Sequence, residues 1–192
     1  MSKWHILQDS REIVNGGVMK LQNGDKVIIE KWDLIIAHPP CTYLSNVATR
    51  SHSLKSTPLN WINGRTHNRI IAMDFFMAMI EANCDRIAVE NPIGIMNTAY
   101  RKPDQIIHPY YFAESTEDEE NYHTKATCLW LKGLQPLVKT SFLPEAKINE
   151  FYNGNGKRKT WVDTRHGSKS RSKTFPGVAK AMAEQWGREE NG

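Results

Sequence analysis

Cysteine is scarce in this chain: Cys41, Cys84 and Cys128 are the only three in 192 residues. An odd number of cysteines spaced far apart makes neither a disulfide framework nor a zinc-ligand pattern. It points to free thiols in a reducing, cytoplasmic compartment, with no metal expected. Long apolar runs are also missing. No stretch approaches the roughly 20 residues of a membrane span, and Met1-Ser2-Lys3-Trp4-His5 lacks the apolar core of a secretory leader, so no membrane partner is expected. Strong charge of one sign is absent as well; the net charge of +4 permits a nucleic-acid partner without demanding one. What is present, 40% hydrophobic and 24% charged residues, is a globular composition. The length suffices to bury a core without staples, and residues 1–192 read as a single domain.

Two short apolar runs end in chemically useful residues. The first is Leu34-Ile35-Ile36-Ala37, followed by His38-Pro39-Pro40-Cys41. It reads as a buried central strand of a parallel sheet. The two prolines lack N–H groups and fix φ, so they end the ladder and hold Cys41 on a stiff loop at the strand's carboxyl end. Ligands bind at that edge in open α/β sheets. Cys41 is either a nucleophile there or a small buried hydrophobe. The second run is Arg86-Ile87-Ala88-Val89, ending in Glu90-Asn91-Pro92. A parallel neighbour would bring Glu90 to the same edge. Between the runs, residues 60–83 form the clearest helix, with Ile70, Ile71, Met73, Phe75, Phe76, Met77, Met79 and Ile80 as a broad apolar face. This helix is the crossover that a parallel pair needs, and its basic start holds Arg65, His67 and Arg69.

The order Pro-Pro-Cys41, then Glu90-Asn91-Pro92, resembles the two catalytic motifs of the C5-cytosine DNA methyltransferases. The stretches Asp104-Gln105-Ile106-Ile107-His108-Pro109, Ala126 to Lys132 and Arg171-Ser172-Lys173-Thr174-Phe175-Pro176-Gly177 look like a small, phage-type branch of that family. The resemblance implies an α/β chain: a truncated Rossmann-like methyltransferase fold with a mostly parallel sheet and an inserted β-hairpin. It implies a phage-encoded protein, DNA as partner and S-adenosylmethionine as cofactor. It also implies that Cys41 attacks C6 of a cytosine extruded from the duplex, raising the carbon nucleophilicity of C5, while Glu90 holds N3 and the exocyclic amine. His38, Pro40, Ser45, Asn46, Asn91, Pro92, Lys125 and Arg171 would line the base and its strand. Lys125 stands where the family strand carries arginines, and His38 departs from the usual residue before the prolines. The amino-methyltransferases, with an acid, amide or serine before Pro-Pro and an aromatic after it, match less well.

The rest of the chain is organised around these two runs. Trp4 to Gln8 reads as a strand ending at Asp9, which either meets the adenine of a methyl donor or caps a helix over Arg11–Val14. Val18–Leu21 and Val27–Glu30 flank Asn23-Gly24, a hairpin signal. The polar stretch Thr42 to Ser56 is a functional loop, with Arg50, His52 and Lys55 available for phosphate, or a solvated one. Tyr100 and Arg101 are candidates to stack on a base and pair with phosphate. Gln105 to Phe112 is extended, Glu114 to Glu120 is solvated surface and Thr127 to Lys132 is a strand. Residues 143–174 form a flexible basic loop carrying Lys157, Arg158, Lys159, Trp161, Arg165, His166, Lys169, Arg171 and Lys173. Val178 to Trp186 is an amphipathic helix that buries Ala179, Met182, Ala183 and Trp186 on the sheet.

One part of the family pattern is missing. Its methyl-donor site needs a first strand and a glycine-rich turn, and the early pair Gly16-Gly17 follows the wrong strand. Four explanations are open: a homodimer or partner chain supplies the donor half, another donor is used, the gene start is misassigned, or the chain is a non-catalytic DNA- or nucleotide-binding relic, such as a phage decoy or counter-defence protein.

Overall fold

The computed structural model describes residues 5–46, 48, 59–146, 151–152, 158–159 and 173–187. The chain is mixed α/β. It divides into two compact units, Met1–Asp104 with Leu129–Leu134, and Gln105–Cys128 with Gln135–Gly192.

The first unit opens differently from the expected strand. Of residues 5–8, only Ile6 makes an isolated antiparallel bridge, with Leu21. Asp9 instead caps a one-turn helix, α1 (Ser10–Ile13). The hairpin follows as expected: β1 (Gly17–Lys20) pairs antiparallel with β2 (Lys26–Ile29) from Gly17↔Ile29 to Lys20↔Lys26. In its turn the Asn23 carboxamide oxygen accepts from the Asp25 N–H at 3.1 Å, and Gly24 takes a φ of 93° that a side chain would resist. The Trp32 indole N–H donates to the Ile13 carbonyl at 2.8 Å, returning the chain to α1.

Next come β3 (Ile35–Ala37), helix α2 (Leu59–Ile80), β4 (Ile87–Pro92), the short α3 (Met96–Ala99), β5 (Gln105–Ile107) and β6 (Thr127–Lys132). β3 and β4 are parallel, with Ile35↔Ile87, Ile36↔Ala88 and Ala37↔Val89 in register. The sheet order is β3–β4–β6–β5, which corrects one expectation. β3 is an edge strand and only half-buried, whereas β4 is central, with Ile87, Ala88 and Val89 fully enclosed. A short apolar run does not tell an edge from a centre, because one covered face already demands apolar side chains.

Helix α2 also buries less than its periodicity suggests. Phe76, Met79 and Ile80 are enclosed, but Ile70 is 53% and Ile71 44% exposed. Phe76 meets the buried Trp130 ring edge-on, with centroids 5.0 Å apart. The Trp130 indole N–H donates to the Arg101 carbonyl at 2.9 Å. Arg101 itself is engaged within the unit: it pairs with Asp104 at 2.8 Å, donates to the Leu131 carbonyl at 3.2 Å and lies over the Tyr100 ring. These contacts fix where the Arg101 side chain lies.

In the second unit, a 3₁₀ turn at Pro109–Phe112 follows β5, and α4 (Pro176–Trp186) buries Val178, Ala181, Met182 and Trp186. Met182 and Trp186 are buried as expected, but Ala179 and Ala183 are exposed, and Val178 and Ala181 complete the stripe in their place. The Trp186 indole N–H donates to the Gln135 carbonyl at 2.9 Å, and the Gln185 side chain bonds both the N–H and the carbonyl of Val138. Within residues 143–174, β7 (Phe151–Tyr152) and β8 (Arg158–Lys159) form an antiparallel pair. Lys157, Trp161, Arg165, His166, Lys169 and Arg171 lie outside the described residues. Among the described residues, no helix is long and apolar enough to cross a membrane.

The acidic run Glu114 to Glu120 is largely exposed, but Asp118 organises it. Its carboxylate accepts from the N–H groups of Glu114, Glu120 and Asn121 and from the Asn121 carboxamide. The Asn121 carboxamide oxygen in turn accepts from the Gly177 N–H at 2.7 Å, at the start of α4. Burial pushes the Asp118 carboxyl up, but the Asn121 side chain and the three N–H groups outweigh it and hold the group below its ordinary 3.8. A depressed folded-state value stabilises the chain above the ordinary range, and that contribution disappears as pH falls through the folded value. Asp118→Asn is therefore expected to be less stable than the parent at neutral pH, by about 1–2 kcal/mol for charge-assisted hydrogen bonds. The gap should close below pH 3.8 in thermal melts recorded across the acid range.

Candidate active site

The carboxyl ends of β3 and β4 meet at one rim because the strands are parallel and in register. Ala37 opposite Val89 places His38 beside Glu90, and the His38 Nδ1 lies 3.1 Å from a Glu90 carboxylate oxygen. Both groups keep contact with solvent, with side chains 37% and 21% exposed. One residue further, the Asn91 carboxamide N–H donates to the Pro39 carbonyl at 2.8 Å. Asn91 is 1% exposed, and its Oδ1 has no partner among the described residues.

Beyond Pro39 the two segments run together for several residues. The Cys41 carbonyl accepts from the N–H groups of Leu44 and Ser45, each at 3.1 Å, which folds Cys41–Ser45 into a turn. Ser45 bridges antiparallel to Gly94. The Asn46 N–H donates to the Ile93 carbonyl at 3.2 Å and the Ile95 N–H to the Leu44 carbonyl at 2.8 Å. Gly94 makes this approach possible, because a Cβ there would run into the Leu44 carbonyl oxygen. A lone glycine two residues after a strand end signals such an approach, and the sequence reading passed over it.

The expected site residues distribute as follows. Cys41 is a free thiol and half-buried, so it is not sealed in apolar packing; Cys84 and Cys128 are buried. His38 and Glu90 touch, Asn91 holds the proline loop, and Ser45 and Asn46 join the 93–95 segment through their backbones. Pro40 is exposed and Pro92 half-buried. Lys125 belongs to the second unit, its ammonium 5.2 Å from the centre of the Phe175 ring. Arg171 lies outside the described residues, as do Arg50, His52 and Lys55.

The Asp9 carboxylate is engaged by Arg11 at the start of α1. One carboxylate oxygen accepts from the Arg11 N–H and Nε at 3.0 and 3.1 Å, the other from Nη2 and Nε at 2.6 and 3.2 Å. A carboxylate has about four lone-pair sites, and here they serve the cap and the guanidinium. The Arg11 side-chain hydrogen bonds, helped by its backbone N–H, pull the Asp9 carboxyl down to about 2. Of the residues before it, 5–8 add no strand to the main sheet.

Comparison with protein-family models, with curated proteins and with solved structures gives no match.

The Asn91–Pro39 bond is the cross-link between the two motifs. Removing a buried donor orphans the carbonyl, at about 1–3 kcal/mol. Asn91→Ala is expected to lose stability of that size in urea titration. It should also speed iodoacetamide alkylation of Cys41 several-fold, as the loop loosens.

Proposed function

We propose that the rim formed by His38, Cys41, Glu90 and Asn91 activates a cytosine ring by covalent attack, in the manner of a DNA cytosine C5-methyltransferase. The supporting observation is the pairing of the two motif ends: Asn91 bonded to Pro39, and His38 in contact with Glu90. The parallel β3–α2–β4 unit is compatible with a truncated Rossmann-like, mostly parallel sheet, and that architecture is part of the same reading.

The chemistry follows from the ring. The Cys41 thiol gives its proton to water, and the Sγ–C6 bond forms. The C5–C6 π pair moves to C4–C5, and the C4–N3 pair moves onto N3, which takes a proton from Glu90. The adduct is an enamine, nucleophilic at C5. Taking a solvent proton at C5, losing the original C5 hydrogen and expelling Sγ returns N3's proton to Glu90 and restores cytosine. His38, held against Glu90, orients the carboxyl group that must present this proton, and Asn91 fixes the loop that carries the thiol. The base reaches the thiol only when it is out of the duplex or on a single strand.

Because Asp9 is engaged by Arg11, the reading covers ring activation by this chain's own residues. A partner chain that supplies the donor half is the arrangement that would complete a methyltransferase. The same engagement favours a second reading, a DNA- or nucleotide-binding protein without turnover.

Ring activation is measurable without a donor, as tritium release from a single-stranded oligonucleotide carrying [5-³H]deoxycytidine. Release is expected from the parent chain. It should be lost in Cys41→Ala and reduced about 100-fold or more in Glu90→Gln, the scale of general acid catalysis. Oligonucleotide binding without release would establish the second reading instead.

A further inference from the structure

The face of α2 that buries Phe76, Met79 and Ile80 continues toward the helix start into Arg69, about two turns before Phe76, and Arg65, about one turn further. Two guanidinium groups therefore occupy the inward stripe where apolar side chains belong. Both side chains are half-buried. The Arg65 Nε and one terminal nitrogen of Arg69 are buried with no hydrogen-bond partner among the described residues. No carboxylate among the described residues pairs with either group, and residues 49–58 contain no acid. Like charges one turn apart oppose each other. Burial, and then the Arg65 charge, push the Arg69 guanidinium below its ordinary range.

Both arginines converge on Tyr43. The Arg65 guanidinium carbon lies 5.3 Å from the centre of the Tyr43 ring. The Arg69 Nε donates to the Tyr43 carbonyl at 3.0 Å, and the Asn68 carboxamide N–H donates to the Tyr43 hydroxyl at 3.2 Å. Tyr43 sits inside the Cys41–Ser45 turn, two residues from the thiol. Arg69 and Asn68 already tie that turn to α2. Arg65 adds a second cation, held in place by an aromatic face and with no carboxylate partner among the described residues. Planar guanidinium groups with donors to spare suit an anion with several oxygen acceptors, and phosphate is the anion that accompanies a pyrimidine nucleotide.

We propose that Arg65 and Arg69, braced by Tyr43, form a phosphate-binding subsite for the nucleotide whose base meets Cys41. The phosphate part stands on the arginine geometry; its assignment to a pyrimidine nucleotide rests on the function proposed above. Free nucleotide and nucleic-acid strand offer the same chemistry, as a monoester or a diester.

The test is calorimetric binding of deoxycytidine, dCMP and a short single-stranded oligodeoxynucleotide to the full chain, with Arg65→Gln beside Lys26→Gln as a surface-charge control. Arg65→Gln leaves the Arg69 tie to Tyr43 intact, and circular dichroism checks its fold. At least one phosphate-bearing probe is expected to bind about tenfold tighter than deoxycytidine, on the scale of one charge-assisted contact. Arg65→Gln should abolish that preference, and Lys26→Gln should retain it. Dependence on Arg65 for dCMP marks a monoester site; dependence for the oligonucleotide alone marks a backbone diester. Equal loss in Arg65→Gln and Lys26→Gln, or no preference in the parent, overturns the subsite. The tritium-release assay separates the two readings. Release that ignores Arg65 removes the subsite and keeps the chemistry, whereas an Arg65-dependent phosphate preference without release does the reverse.

Discussion

A buried amide holds the candidate site together. Asn91 ends a central strand, is almost wholly enclosed, and donates to the carbonyl of Pro39 on the neighbouring strand's exit. Pro39 and Pro40 contribute no N–H groups of their own, so the loop after β3 depends on donors from outside. Asn91 provides the first, and the backbone ties between residues 44–46 and 93–95 continue the connection. The parallel register of β3 and β4 sets the starting point, since Ala37 opposite Val89 leaves His38 and Glu90 with little choice of neighbour. Cys41 follows two residues along a path that these bonds have already fixed.

The surroundings divide into a stiff half and a charged half. β4 and β6 bring Ile87, Ala88, Val89, Leu129 and Trp130 into a dense core, with Phe76 of α2 against the Trp130 ring. That packing fixes the strand ends. On the other side of the loop, α2 exchanges its apolar stripe for Arg65 and Arg69, and these bind the turn that carries the thiol. A cysteine on a braced turn, a carboxylate in contact with an imidazole and two half-buried guanidinium groups within one short segment of fold are more than stability requires. Placing cations on an inward helix face costs desolvation that apolar side chains would avoid.

Much of this was legible in the sequence, for identifiable reasons. Strong local signals survived: the Asn23-Gly24 hairpin, the long helix, the two apolar runs that stop at proline, and the strand Thr127–Lys132. What failed needed knowledge of neighbours. Leu34 to Ala37 announces burial but not edge position. Ile70 and Ile71 fit a helical period yet face solvent, because the core reaches only the C-terminal part of α2. In α4 the buried stripe runs through Val178 and Ala181, since alanines at adjacent positions give periodicity little to grip. The pairing of Arg101 with Asp104 and the Leu131 carbonyl also depends on neighbours that its local sequence does not name. Asp9 had two readings from the start, and its four hydrogen bonds from Arg11 select the cap. The partnership of His38 with Glu90 and the closeness enforced by Gly94 arise from register between segments some 50 residues apart, which no local pattern carries.

The central claim is that Cys41 is the thiol that meets a pyrimidine ring at this rim. Its most direct measurement is peptide mapping by mass spectrometry, after incubating the chain with a single-stranded oligonucleotide in which 2-pyrimidinone replaces cytosine. That ring lacks the exocyclic amine and accepts a thiolate at C6 more readily. One adduct is expected, on the peptide containing Cys41. No adduct, or one on Cys84 or Cys128, would contradict it.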